Sequence, residues 1–297
     1  MTRKGCIWGW LIGAAVLLVV FLVTMVAIES LLGQRFSFPS YGARVGLVRI
    51  EGGIYDSRQV IDDLEWMADD PGVRAVVLRV DSPGGGAAAS QEIYEYVRGI
   101  QRDGLPVVVS MGSVAASGGY YVACCADTIV ANPGTLTGSI GVVMSFTNLE
   151  ELFSKIGMDF DVIKSGEFKD TGSWSREMTD AERALLQETI DDIHSQFVEA
   201  VAEGREMDIE EVSALADGRI FSGRQALEAG LVDVLGTLED AVLVAKRIRG
   251  VEGRPRVQEV VRRERLKLWE LLTGAASGLV APETSSPGAH YIYRPSK

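Results

Sequence analysis

The stretch RAVVLRVDSPGGG, residues 74–86, decides the fold. Five of its first seven positions are Val, Leu or Ala, four of them consecutive, the pattern of a buried strand as parallel sheets hold them between helices. Pro83 and the three glycines after it force a sharp turn, and the apolar spacing of residues 88–100 predicts a helix beyond it. The same unit recurs on both sides. VGLVRI (45–50) reads as a strand followed by a helix over 57–68, and PVVVS (106–110) as a strand leading through Gly/Ser residues to a helix beginning near Ser117. Farther on, a short strand is predicted at 128–130, a helix near 148–156 and a strand in FDVIK (160–164). The longest helix is predicted at 179–203, with Asp180 and Glu182 in its first turn, where carboxylates favour the helix dipole. Strands alternating with helices predict an α/β domain with mostly parallel strands. No linker-like break divides residues 44–250 and no exact repeat occurs, so this span reads as one domain, with a Pro/Ser/Gly-ending tail over 251–297 that stays loose unless docked.

Composition bounds the partners. The chain has 297 residues, 47% of them apolar, and a net charge of −12, which argues against nucleic acid because phosphate contacts need a basic surface. Residues 246–267 are the exception, with nine Lys/Arg against three Glu, and read as a solvated or subunit-contacting surface rather than a lipid-headgroup patch. Three cysteines make no disulfide framework. Cys124 and Cys125 are neighbours in an apolar run and read as buried core.

Residues 6–28, CIWGWLIGAAVLLVVFLVTMVAI, carry no charge and no proline. At about 1.5 Å per residue a helix of this length spans roughly 35 Å, enough to cross a bilayer with some tilt. Arg3 and Lys4 precede it and Glu29 follows, so residues 1–5 are expected in the cytoplasm and the rest outside. The run is long for a signal-peptide core and lacks an evident small-x-small cleavage site, so a retained anchor is expected. Residues 29–43 then form a short linker.

Two segments carry chemistry. In DSPGGG (81–86) the glycines let backbone N–H groups face a ligand, which suits an oxyanion hole. In AASGGYY (115–121) a serine sits among small residues between strand and helix, where it serves either as a nucleophile or as a helix cap. A nucleophilic serine needs a base. Of the two histidines, His194 lies inside the long helix and His290 in the tail, and no neighbouring motif places either. A lysine can serve where burial leaves its amine neutral. Lys164 and Lys169 both lie in IKSGEFKD (163–170), and spacing does not choose between them.

The ordered set DSPGGG, SVAASGGYYVA, TGSIGV (137–142), IKSGEFKD, SREMT (175–179) and GRIFSGRQALEAGLVDVLG (218–236) resembles the signal peptide peptidase A (SppA) family in its short form, across about 45–250. That resemblance implies Ser117 as nucleophile, Lys169 as general base and Ser139 as the residue that orients the lysine. It implies oxyanion donors at Gly118 and at Gly85 or its neighbour Gly84. It further implies a crotonase/ClpP-like fold, no cofactor or metal, and apolar peptide substrates such as residual signal peptides. Assembly is implied as a homo-oligomeric ring whose active sites draw serine and lysine from adjacent subunits. With the anchor, the enzyme is expected to be single-pass in the cell membrane with its catalytic domain on the extracytoplasmic side. Two rivals share parts of this pattern: a crotonase-type acyl-CoA enzyme, and a SohB- or NfeD-type membrane protease.

Overall fold

A mostly parallel sheet centred on three of the predicted strands organises the residues from Arg44 onward. The computed structural model describes residues 13, 16–20, 42–250, 256–260 and 290–292. The chain divides into two units, Met1–Gly42 and Ala43–Lys297. In the first, residues 16–20 are helical and exposed; the rest of the expected anchor, save Gly13, and most of the linker lie outside the described residues. Among the described residues no helix is long and apolar enough to cross a membrane.

In the second unit, β1 (Arg44–Glu51), β2 (Val73–Ser82) and β4 (Val107–Ala116) form the sheet centre, all parallel. Helix α1 (Arg58–Ala68) connects the first pair, and β3 (Gly84–Gly86) with α2 (Ala87–Arg102) connects the second. After β4 come α3 (Gly118–Ala123), β5 (Thr128–Ala131) and β6 (Leu136–Gly138). The chain continues with α4 (Glu150–Lys155), a 3-10 turn (Glu167–Asp170), α5 (Asp180–Arg205), α6 (Ile209–Leu215), β7 (Ile220–Ser222), α7 (Gly223–Glu228), β8 (Val234–Leu235) and α8 (Leu238–Ile248). Strand order is β7-β6-β4-β2-β1 and then β9 (Arg256–Glu259), with β5 beside the first half of β4 and β8 beside β5. Among the described residues, only β6 and β7 pair antiparallel in this sheet.

Strand alternation divides the core between the sheet's two faces. Val76, Leu78 and Val80 of β2 pack with Val107, Val109 and Met111 of β4 and with residues of α1, α2, α3 and α5. Their neighbours Ala75 and Val77 join Val45, Leu47 and Val108 under Ala241, Val242 and Ala245 of α8. A strand covered on both faces must be apolar at successive positions, which is why residues 75–78 are all buried.

Three features depart from expectation. FDVIK forms no strand: residues 160–164 are exposed and unpaired with any strand, with Ile163 98% exposed. Among the described residues no strand pairs with it; the Phe160 ring packs edge-on against Phe153 and Trp174, with centroids 4.9 and 4.7 Å away. The short strands β6, β7 and β8 have too few residues to show a period. The tail contributes two strands. β9 extends the sheet beside β1, and β10 (His290–Ile292) pairs antiparallel with β3.

Candidate active site

Ser117 stands between β4 and α3 with φ 54° and ψ −119°, a conformation sterically disfavoured for any residue with a Cβ. Two backbone bonds hold it there. Its N–H donates to the Gly138 carbonyl at 2.8 Å, and its carbonyl accepts from the Tyr121 N–H at 2.8 Å. Its side chain makes no cap hydrogen bond, although the residue is only 1% exposed. That removes the ground for reading it as a simple helix cap. Ser139 has the same backbone handedness, φ 51°, and is also buried. Because Ala116 of β4 lies opposite Gly138 of β6 in a parallel pair, Ser117 and Ser139 each follow one residue beyond a registered pair, at the same edge of the sheet.

The glycine turn reaches this edge from β2, whose Ser82 pairs with Ala115. Gly119 closes the gap from the other side. A Cβ there would lie 2.9 Å from the Ser82 carbonyl oxygen, so the start of α3 and the end of β2 meet through a glycine. Gly118 is buried at the head of α3, where backbone N–H groups lack intrahelical acceptors. Gly84 (φ 99°) donates its N–H to Ser82 Oγ at 3.1 Å. Gly85 is pressed against Ile54, and a Cβ would sit 2.0 Å from the Ile54 carbonyl oxygen. Ile54 bonds Gly84 and Gly86 on either side, donating to the Gly84 carbonyl at 2.9 Å and accepting from the Gly86 N–H at 2.7 Å. Strand alternation therefore turns Gly85's own N–H and C=O to the opposite edge. There β10 lies, with Tyr291 opposite Gly85 and His290 opposite Gly86.

The two lysines differ in their bonding. Lys164 Nζ donates to Asp170 Oδ1 at 2.6 Å and to the Glu167 carbonyl at 2.9 Å, a geometry that engages it as an ammonium. Lys169 sits exposed on the 3-10 turn, and its side chain has no hydrogen-bond or ion-pair partner among the described residues. Beside it, Arg176 and then Lys164 hold the Asp170 carboxyl well below the usual carboxylate range. Of the histidines, His194 is on α5 with its Nε2 buried and unbonded.

Cys124 and Cys125 are free and buried, as expected of core residues. Burial pushes the Cys124 thiol up to about 12 and raises that of Cys125 well above its ordinary value, so neither offers a thiolate nucleophile near neutral pH. Among the described residues no cluster of His, Cys, Asp or Glu has the makings of a metal site.

Comparison with known proteins gives the following. Residues 100–252 match peptidase family S49. The chain is 49% identical over 178 residues to the slr0021 protein of Synechocystis sp., covering 60% of this chain and 64% of that one. It is 36% identical over 224 residues to Protease 4 of Haemophilus influenzae, covering 72% of this chain and 36% of that protein. It is 31% identical over 245 residues to the chloroplastic serine protease SPPA of Arabidopsis thaliana, covering 82% of this chain and 36% of that protein. The chain thus spans less than two thirds of the length of each. Among solved structures, a ClpP1 mutant from Listeria monocytogenes aligns at 16% identity with a TM-score of 0.45, covering 66% of this chain and 94% of that one.

Proposed function

Because the chain belongs to peptidase family S49, we propose that it is a serine endopeptidase with Ser117 as nucleophile and Lys169 as general base. The observation that carries this reading is the backbone of Ser117. It is buried in a disfavoured conformation at the sheet edge shared with Ser139 and the glycine turn, with its side chain spent on no cap. A sharp strand-to-helix turn of this kind serves to present a nucleophilic oxygen.

In this mechanism the Lys169 amine takes the proton from the Ser117 hydroxyl as Oγ attacks a peptide carbonyl. Ser139 orients the amine. The tetrahedral oxyanion accepts hydrogen bonds from the N–H groups of Gly118 and of Gly85 or its neighbour Gly84; the Gly84 N–H is engaged by Ser82, and that of Gly85 faces β10. Loss of one such donor costs about 3 kcal/mol of transition-state stabilisation. Lys169 then protonates the leaving amine, and water hydrolyses the acyl-enzyme. The antiparallel pairing of β10 along β3 supports an extended peptide as ligand: a strand laid on that edge faces the backbone groups of Gly85.

The fold under this proposal is of the crotonase/ClpP type, and the enzyme works as a homo-oligomeric ring. Lys169 lies exposed in a segment that also exposes Phe146, Met158, Phe160, Ile163, Phe168 and Trp174, an apolar surface that favours cover by a neighbouring copy. Such cover would desolvate the amine, as a lysine base requires, and bring a neighbour's serine to it. The uncharged run at 6–28 supports a membrane anchor with the catalytic domain outside the cytoplasm. Residual signal peptides are then the proposed substrates.

The test uses Ser117→Ala, Lys169→Ala and Lys164→Ala in the full-length chain, read by cleavage of an apolar peptide and by fluorophosphonate labelling of Ser117. The first two variants should lose cleavage, and Lys164→Ala should retain a catalytic rate that Lys169→Ala does not. Full activity in Lys169→Ala would refute the assignment of the base.

A further inference from the structure

The turn that carries Lys169 has little of its own to hold it. It is a four-residue 3-10 turn with no buried residue. Its backbone bonds are long, Lys169 N–H to the Gly166 carbonyl at 3.2 Å and Thr171 N–H to the Phe168 carbonyl at 3.3 Å. Short 3-10 segments have poor hydrogen-bond geometry and do not persist unaided.

Beyond a hydrogen bond from Thr171 Oγ1 to the Phe168 carbonyl at 2.8 Å, what holds it is ionic. Arg176 Nε donates to Asp170 Oδ2 at 2.9 Å, and its Nη2 lies 2.8 Å from Asp170 Oδ1. The same guanidinium continues to Glu182, with Nη1 at 2.9 Å from Oε2 and Nη2 bonded to Oε1. Nη1 also donates to the Glu177 carbonyl at 2.9 Å. Arg176 thus uses all three of its nitrogens between two carboxylates, the bidentate geometry in which arginine is strongest. Lys164 joins the network at the same Asp170 Oδ1, at 2.6 Å.

Each end of this clamp is fixed differently. Glu182 is nearly inaccessible, with its side chain 3% exposed. It belongs to the capping box of α5, its carboxylate accepting from the Thr179 N–H at 2.9 Å and its own N–H donating to Thr179 Oγ1 at 3.2 Å. Asp170, the other end, is the residue next to Lys169. Arg176 therefore ties the exposed lysine turn to the start of the longest helix.

We propose that Arg176 is the positioning residue for Lys169, and that its clamp on Asp170 and Glu182 sets the place from which the lysine amine reaches the serine. The proposal rests on Lys169 being the general base. It also gives Lys164 a separate role, as an ammonium that braces Asp170.

The experiment compares Arg176→Ala, Arg176→Lys, Asp170→Asn and Lys169→Ala in the full-length chain, with Arg49→Ala as a control for loss of an exposed ion pair. The readouts are kcat and KM on an apolar peptide, melting temperature, and amide hydrogen exchange over residues 164–172. Arg176→Ala should lower kcat about 10- to 100-fold, the scale of a misplacement of roughly 1 Å, with KM changed less than about 2-fold and exchange in 164–172 accelerated. Arg176→Lys, which keeps the charge but not the fork, should recover only part of the rate and is the variant read if Arg176→Ala fails to fold. Asp170→Asn changes the local charge in the opposite sense, yet should lower kcat too. Opposite effects of Arg176→Ala and Asp170→Asn on kcat would overturn the proposal in favour of a purely electrostatic influence. So would a wild-type kcat in Arg176→Ala, or a lowered kcat with unchanged exchange. If Lys169→Ala is inactive while Arg176→Ala is fully active, the clamp alone fails; if Lys169→Ala is active, the base assignment fails and the clamp proposal with it.

Discussion

Replacing Ser117 by glycine should give a more stable protein than replacing it by alanine, although both changes remove the nucleophile. With φ 54° and ψ −119°, Ser117 holds a Cβ where L-residues are disfavoured, a strain of about 1–3 kcal/mol. Alanine keeps the Cβ and so keeps the strain. Glycine removes it, but costs about 0.5–1 kcal/mol more backbone entropy on folding. The balance favours Ser117→Gly over Ser117→Ala by about 1 kcal/mol, which for a domain of 150–250 residues raises Tm by about 2–4 °C. Both variants lose the same hydroxyl and no cap hydrogen bond, so they differ only in the Cβ. Thermal melts of the two full-length variants, followed by circular dichroism, read the difference directly, and fluorophosphonate should label neither at this position. If Ser117→Gly melts at or below Ser117→Ala, the residue is not strained, and the argument that the fold holds its oxygen at a cost in stability collapses.

Two further outcomes follow from the same geometry. Gly85→Ala would set a Cβ 2.0 Å from the Ile54 carbonyl oxygen, backbone against backbone; the turn must shift, and about 3 kcal/mol of stability should be lost together with activity, read by urea midpoint and peptide cleavage. Arg176 foremost, then the Thr179 N–H, hold the Glu182 carboxyl down to about 2, and Asp170 is lowered beside it. Both folded-state values lie below those of the unfolded chain, so the stabilisation is present above roughly pH 4.5 and is lost as pH falls toward about 2. Denaturation midpoints measured across that window should fall in the wild type and fall less steeply in Arg176→Ala; parallel curves would contradict the assignment.

The central strands were legible because burial on both faces of a parallel sheet demands unbroken apolar runs, and residues 75–78 and 107–109 have them. The order of the glycine turn, Ser117 and Ser139 was legible as motifs. Their meeting at one edge was not, since it depends on the pairings of Ser82 with Ala115 and of Gly138 with Ala116, which leave no local trace. Nor does any local pattern announce β9 or β10, whose partners lie some 200 residues earlier in the chain. The charges at 164, 170, 176 and 182 look in sequence like ordinary solvated residues; only folding turns them into a clamp.

The reading that failed, a strand at 160–164, is instructive about the site itself. Alternating Phe160 and Val162 report a segment with one apolar side, and that periodicity is real even though no strand among the described residues pairs with it. A segment patterned for burial but left largely exposed, carrying the exposed lysine turn a few residues farther on, is what a site shared between copies would leave in the sequence of one copy. Ser117 and Ser139 are buried, whereas the lysine turn has no buried residue. On this argument a variant that breaks assembly should lose activity while Ser117, Ser139 and Gly85 keep their places.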